Sequence, residues 1–580
     1  MTGTSTPEHV DAVVVGSGFG GAVSAFRLAE AGRRVIVLER GRPYPPGSFP
    51  RTPRQMGRAF WDPGAGLHGM FDVWSFRGFD SVVSSGLGGG SLIYANVLLR
   101  KDEKWFVHED PLPGGGYETW PVTRADLDPH YDVVERMLGA TPYPLHAPAY
   151  ADTAKTQALR KAAEKLGLDW QLPPLAVSFA PRPGARPAIG VPLADPGYAN
   201  LHGAPRHTCR LCGECDIGCN DGAKNTLDHT YLSAAAAAAP HPADIRTGCE
   251  VRGLAARERG GYEVTYVEHR PSAEDGTRTG TRTDTAKLPL RTVTCDRLIL
   301  AAGTYGTTYL LLTNRDRLPG LSRALGTRMS GNGDLLTFLL PEHKGAGPAL
   351  DASRGPVITG AIRVGDRADG SGARGRGYYV QDGGYPGFTD WIVQSSDLTG
   401  TFFRTAEFLA RLLLNVLRGS PDHRVGAELS RLLGNGALSA GTLPLLGMGR
   451  DVPDGVGKLR DGLLDVAWTT ETSTAYFARV RETMRDLAEQ LDTRLLDNPL
   501  WFFRRLVTVH PLGGAPISHH PADGVCDAFG QVHGLPGLYV ADGAAMPGPV
   551  GANPSLTIAA LADRMSTALL EERVAARVRD

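Results

Sequence analysis
The chain lacks an excess of either charge: 61 lysines and arginines offset 62 aspartates and glutamates in its 580 residues, leaving a formal net charge of −1. No basic field recommends nucleic acid as a partner, and there is no acidic tail. No apolar run reaches the length a bilayer helix needs, so no transmembrane segment is expected. The opening residues, MTGTSTPEHV, have neither a basic stretch nor an apolar core, which argues against a secretory signal and makes a cytoplasmic location the expectation. Glycine and proline are plentiful, 73 and 42 residues, but show no G-X-Y period, which points to many loops and excludes a fibre. The length exceeds one ordinary core, so two intertwined domains are expected.

The stretch Asp11 to Arg40, DAVVVGSGFGGAVSAFRLAEAGRRVIVLER, reads as a complete dinucleotide-binding unit. Ala12 to Val15 is an apolar run that suits a strand covered on both faces. Gly16-Ser17-Gly18-Phe19-Gly20-Gly21 then supplies G-x-G-x-x-G where strand becomes helix, so the turn is tight and the backbone can approach a pyrophosphate. A helix over Ala22 to Ala31, ended by Gly32, would aim free N–H groups at that phosphate. A second strand, Val35 to Leu38, runs into Glu39, an acid at the distance where a carboxylate binds ribose hydroxyls. The competing reading is a glycine-rich turn that serves only helix packing.

Residues Gly41 to Gly69, rich in Gly, Pro and Arg, read as a long surface excursion. Ser81 to Arg100 follows, with Gly86, Gly88, Gly89 and Gly90 forming a second glycine-rich loop that could lie flat against a planar or phosphorylated group, or act as a flexible turn. DLDPHYDVVERMLGA and ADTAKTQALRKAAEKLG look helical, the first starting after an Asp cap. The stretch 172 to 205 is loop. Strands return at Glu250-Val251, at Tyr262 to Val267 with antiparallel alternation, and at Arg297 to Gly303, a buried strand that could rejoin the first sheet. Residues 312 to 500 look like a separate layer, with an apolar helix at Phe402 to Leu417, suited to core packing or to covering a greasy cavity or membrane surface, and a polar helix at Ser473 to Leu491. Near the carboxyl end a strand at Leu538 to Ala541 leads to Asp542-Gly543 and to a helix beginning near Pro554.

In this order the motifs resemble the glucose-methanol-choline (GMC) flavoprotein oxidoreductases, in particular their cholesterol-oxidase-like branch. The matching segments are Val13 to Glu39, Ser84 to Asn96, Gly222 to Thr226, Leu298 to Thr304, His510 to Gly514 and Val540 to Arg564. The resemblance implies an α/β fold: a Rossmann-type FAD-binding domain from residues 1–100, 206–311 and 501–580, and a substrate-binding domain with an antiparallel sheet and helices from 101–205 and 312–500. It implies non-covalent FAD, with Gly16, Gly18, Phe19, Gly20, Gly21 and Glu39 at the ADP half. Ser84, Gly88, Gly89, Ser91 and Asn96 would lie along the pyrophosphate, ribitol and flavin, Val251 near adenine, and Asp542, Gly543 and Asn553 beside the isoalloxazine.

Oxidising an alcohol by hydride transfer requires a base for the hydroxyl proton and a donor that orients the oxygen. An imidazole titrates near neutrality, which suits His510 to the first task; Asn553 offers an amide for the second. By similarity these occupy the GMC catalytic positions, although a histidine before Pro-Leu-Gly-Gly also suits a structural role. His229, His519 and His520 are read as surface or packing residues. Where the cholesterol-oxidase branch carries an active-site glutamate, this chain shows Gln381 beside Asp382, which argues against steroid double-bond migration but leaves alcohol oxidation intact. The expected substrate is an apolar, steroid-like or long-chain alcohol, and the electron acceptor is oxygen, a redox protein or a quinone. The rivals are flavin-dependent lyase or photochemical work on the same scaffold, a non-catalytic electron-transfer flavoprotein, and an NAD-dependent dehydrogenase.

Four of seven cysteines fall in Cys209-x2-Cys212-x2-Cys215-x3-Cys219. This is the ligand spacing of a bacterial ferredoxin run, with Asn220 in place of the usual proline and no second set. A single [4Fe-4S] cluster, free thiols with a conformational role, zinc and disulfides are the readings open to it. Cys249, Cys295 and Cys526 are isolated and expected to be buried.

Overall fold
The computed structural model describes residues 7–113, 115–194, 196–269, 284–341, 350–372, 375–384, 443–498, 501 and 505–577. The proposed apolar helix at Phe402 to Leu417 lies outside them.

A seven-stranded sheet carries the opening unit. Glu8–Val15 pairs in parallel with Val35–Glu39 on one side and with Leu290–Leu300 on the other, and Asp244–Thr247 extends the parallel run beyond Val35–Glu39. Val13, Val14 and Val37 are fully buried, as parallel strands roofed on both faces require. Leu290–Leu300 is the joint of this sheet. Its first half pairs antiparallel with Tyr262–Glu268, its last three residues pair in parallel with Leu538–Val540, and Cys249–Ala256 closes the antiparallel edge.

The helix Phe19–Glu30 begins inside the glycine motif, three residues before the expected Ala22, with Gly18 at its N-cap. Its face is sealed by the carboxyl-terminal helix Ser555–Arg577, against which Arg124–Met137 also packs. The buried Asp563 carboxylate ties all three helices together: it accepts from Arg27 and meets His130 Nδ1 at 2.6 Å. Arg124–Met137 starts earlier than expected, after Thr123 rather than an Asp cap. Asp126 sits at the third helical position and completes a capping box, accepting from the Thr123 backbone N–H at 2.7 Å.

A six-stranded antiparallel sheet forms the second layer, in the order Asp169–Gln171, Ala361–Val364, Tyr378–Asp382, Leu443–Gly449, Leu335–Pro341, Thr493–Asp497. The helices Ala154–Lys165 and Thr474–Gln490 cover it, the latter burying Tyr476, Phe477, Val480, Met484 and Leu487. A third, three-stranded sheet joins Phe71–Ser75 and Phe79–Ser84 to Leu506–Thr508, the last pair parallel.

The stretch 41–69 departs from the expected surface excursion. Tyr44 and Phe49 stack with ring centroids 5.5 Å apart and pack with Met70 and Leu92 into a small core. The reason is local: a Cβ on Gly86 would meet the Tyr44 ring at 3.0 Å, so these aromatics roof the second glycine loop. Among the described residues no helix is long and apolar enough to cross a membrane.

Candidate active site
The glycines of the first turn divide the work between packing and access. A Cβ at Gly16 would strike Ala301 O at 2.2 Å, at Gly20 Ala541 O at 1.6 Å, and at Gly21 Gly16 O at 2.1 Å, so these three let helix and strands close together. Gly18 has nothing within 4 Å and faces open space, where a phosphate can approach the backbone. The second glycine loop touches the first: a Cβ on Gly89 would lie 2.6 Å from Gly18 Cα.

Glu39 locks this corner. Its Oε2 accepts from the Ser17 backbone N–H at 3.1 Å and hydroxyl at 2.6 Å, and its Oε1 from the Gly41 N–H at 2.7 Å. The Ser17 hydroxyl accepts in turn from the Gly88 N–H at 3.0 Å. Gly248 N–H donates to Gly41 O at 3.0 Å, which brings the start of the Val251 strand beside the Glu39 end of its neighbour. Val251 itself sits at the bulge of that strand.

Ser91 is a strut of the second loop: its hydroxyl donates to Gly88 O at 2.7 Å and accepts from the Leu227 N–H at 3.0 Å. Phe19 packs edge-on against Tyr94, with centroids 5.3 Å apart. Asn96 is fully buried in a left-handed conformation, φ 69°, yet both polar atoms of its amide lack a hydrogen-bond partner. The Ser84, Ser85 and Tyr94 hydroxyls are likewise buried without partners. Each such group costs about 1–3 kcal/mol unless a ligand completes it. An open glycine turn followed by orphaned hydroxyls and an amide fits a dinucleotide with a polar linker and ring edge, and FAD is such a group.

His510 follows the strand Leu506–Thr508, which pairs in parallel with the strand Phe79–Ser84 that leads into the second glycine loop. Its Nδ1 meets Asp334 Oδ1 at 2.7 Å, while Asp334 Oδ2 accepts from the backbone N–H of Val509 at 2.8 Å and of His510 at 3.1 Å and from the Thr508 hydroxyl at 2.9 Å. Nε2 is the ring nitrogen left to act. Asn553, two residues before the carboxyl-terminal helix, is buried against Gln381, whose Nε2 donates to Asn553 Oδ1 at 2.8 Å. One loop holds both side chains in place. Ser330-Gly331-Asn332-Gly333-Asp334 sends Asp334 to the imidazole, while Asn332 Nδ2 donates to Ala552 O at 2.9 Å and Asn332 Oδ1 accepts from Gly551 N–H at 2.8 Å. Asp451 anchors this loop from below, accepting from the Ser330 hydroxyl at 2.6 Å and the Gly331 N–H at 3.1 Å. Burial pushes its carboxyl up to about 7.

Asp542, expected beside the isoalloxazine, is a clamp: its carboxylate accepts from the Gly303 N–H, the Thr307 hydroxyl and the Ala544 N–H, at 2.5 to 2.9 Å. Burial pushes it up to about 6. Gly543 lies in the same turn, where a Cβ would meet Thr304 Oγ1 at 2.5 Å. His519 and His520 are exposed, whereas His229 is buried beside His202, and burial lowers its pKa to about 4. The clasp residues Ser330, Asn332, Asp334 and Asp451 were not anticipated from sequence. The compact Ser-Gly-Asn-Gly-Asp run was the available signal.

A nucleotide cradle at the carboxyl ends of parallel strands, with an imidazole and an amide held at its other end, is the layout of a flavin-dependent oxidoreductase of α/β architecture. Residues 11–44 match the FAD binding domain model and residues 459–562 the GMC oxidoreductase model. The chain is 32% identical to a cholesterol oxidase of Mycobacterium tuberculosis (strain ATCC 25618 / H37Rv) over 96% of its own length and 90% of that protein. It is 29% identical to a cholesterol oxidase of Acinetobacter baumannii, over 96% and 93% of the two chains, and 28% identical to 6'''-hydroxyparomomycin C oxidase of Streptomyces lividus, over 98% and 92%. The chain belongs to the GMC oxidoreductases and is an FAD-dependent enzyme acting on alcohols.

Proposed function
We propose that this enzyme oxidises a hydroxyl carbon of an apolar, steroid-like or long-chain alcohol, with His510 as the base and Asn553 orienting the oxygen. FAD supplies the two-electron acceptor when bound. Gly16, Gly18, Phe19, Gly20, Gly21 and Glu39 hold its ADP half, with Val251 near adenine. Ser84, Gly88, Gly89, Ser91 and Asn96 follow the linker and ring, and Asp542 and Gly543 shape the wall beside it. The domain division is taken as 1–100, 206–311 and 501–580 for the cofactor and 101–205 and 312–500 for the substrate.

The observation that carries this reading is the engagement of His510 Nδ1 by Asp334. The carboxylate fixes the ring's orientation and tautomer, so that Nε2 takes up the hydroxyl proton as the C–H bond is broken. Asn553 keeps one amide hydrogen for the substrate oxygen while its carbonyl is engaged by Gln381. Because Gln381 cannot accept and return a proton as a carboxylate does, oxidation of a sterol stops at the ketone without migration of the double bond. The relatives named as cholesterol oxidases support the apolar substrate class. The test is anaerobic mixing of the FAD-loaded protein with sterols and long-chain alcohols. Bleaching of the flavin bands is expected, and a panel that leaves the flavin oxidised overturns the proposal.

A further inference from the structure
The four-cysteine run is not used by the alcohol chemistry, yet its thiols share one enclosure. Cys209, Cys212, Cys215 and Cys219 all line a single cavity, together with Lys224 and Arg210. The backbone is turned back on itself between them by left-handed residues, Leu211 at φ 63°, Gly213 at 67° and Gly218 at 86°. Leu211 is the costly one, because a branched side chain is rarely found there. We propose that these four thiolates ligate one [4Fe-4S] cluster.

Disulfides and zinc each meet a contrary observation. All four cysteines are free, so the run is not a pair of disulfides. Tetrahedral zinc places its sulfurs about 3.8 Å apart, from a Zn–S distance of about 2.3 Å. Among the described residues, the His/Cys/Asp/Glu group whose ligand atoms all lie within 4.8 Å of one another is His202, Asp228 and His229, and no three of the cysteines meet that limit. Four sulfurs around one cavity but too far apart for a single ion suit a cubane, which carries its cysteine ligands at the corners of a larger tetrahedron.

The surroundings are equipped for anionic sulfur. Leu211 N–H donates to Cys209 Sγ at 3.4 Å, and the backbone N–H groups of Glu214 and Val357 point at Cys212 and Cys215. Such donors stabilise cluster-bound sulfur and tune its potential. The fully buried Lys224 donates to Cys215 O at 2.8 Å and to Leu92 O at 3.0 Å, and its charge offsets part of the excess negative charge of a cubane with four thiolates, whereas Arg210 on the same wall is paired with Asp221 at 2.6 Å. On ligation each sulfur gives up its proton and forms one iron–sulfur bond, with no change in its oxidation state. Iron and sulfide come as a cluster already assembled by the cell's delivery proteins. The site borders the cofactor groove, since Lys224 Nζ lies 4.8 Å from the centre of the Tyr94 ring that packs on Phe19.

The inference does not depend on the substrate reading, and its test measures metal. Full-length protein, expressed with an iron supply and purified without oxygen, should carry about four iron and four acid-labile sulfide per chain. Reduction with dithionite should give the paramagnetic signal of a reduced cubane beside the flavin bands. Cys212→Ser and Cys219→Ser should lose most of the iron and sulfide and keep FAD, whereas Cys295→Ser, far along the chain and buried in the main core, should keep both. Stoichiometric zinc, iron without sulfide, or no metal after anaerobic reconstitution with ferrous iron and sulfide overturns the proposal. If the serine variants fail to fold, the iron and sulfide content of the unmodified protein decides alone.

Discussion

Between Ser84 and Asn96, buried hydroxyls and an amide stand without partners, whereas at the other end of the candidate site His510 and Asn553 are each gripped by a neighbour, Asp334 and Gln381. The contrast tracks what each end is proposed to bind. A resident cofactor supplies the missing hydrogen bonds permanently, so the protein can leave that wall incomplete and let binding energy assemble it. A substrate comes and goes, so the reacting side chains must be positioned before it arrives.

The largest effect is expected at the pre-set end. His510→Ala should slow anaerobic flavin reduction by alcohol about 10²–10⁴-fold with FAD content unchanged. Reduction at the normal rate would remove the base from this residue. Asp334→Asn keeps the shape but loses the carboxylate, and should cost on the order of 10–10²-fold in the same stopped-flow measurement. An unchanged rate would reduce Asp334 to a loop anchor. At the incomplete end, Asn96→Gly preserves the left-handed backbone and removes the amide. FAD affinity should weaken by roughly tenfold, from about 1–3 kcal/mol of lost hydrogen bonding, and the rise in melting temperature on adding FAD should shrink, while the rate of the loaded enzyme stays close to normal. If the rate falls and affinity holds, the two ends are not distinct.

The clasp beneath His510 gives a pH signature. Burial pushes the Asp451 carboxyl up to about 7, against about 3.9 in an unfolded chain, so the folded protein binds this proton more tightly. Its contribution to stability is full below about pH 4 and is lost as pH rises through about 7, with a span on the order of 4 kcal/mol. Asp451→Asn should therefore flatten the fall in urea midpoint between pH 5 and 8, and a slope identical to the unmodified protein's would contradict the assignment. The smallest effect is expected from Gln381→Glu. A carboxylate cannot donate to Asn553 Oδ1, so the rate should drop a few-fold, checked with one alcohol at saturating concentration.

How far the sequence went can be judged residue by residue. The Asp11 to Arg40 unit was legible because strand, glycines, helix and acid occur in consecutive register, and family likeness assigned His510 and Asn553. The helix started early because Phe19 and Gly20 could join it once Gly18 served as the cap. The clasp was illegible for a different reason: Asp334 and His510 are 176 positions apart, and nothing local to Ser330-Gly331-Asn332-Gly333-Asp334 says which distant loops it will hold. The buried aromatics of 41–69 were missed because glycine and proline content outweighed Tyr44 and Phe49, although those rings have a roof to form.

The parallel pairing of Phe79–Ser84 with Leu506–Thr508 has a consequence for how this enzyme can change. One strand runs on into the second glycine loop and the other into His510, and sheet hydrogen bonds hold neighbouring strands about 4.8 Å apart. The spacing between cradle and imidazole is thus set by two adjacent backbones rather than by the long intervening chain. New loops can be inserted there, and a different molecule admitted, without retuning the distance over which the reaction takes place.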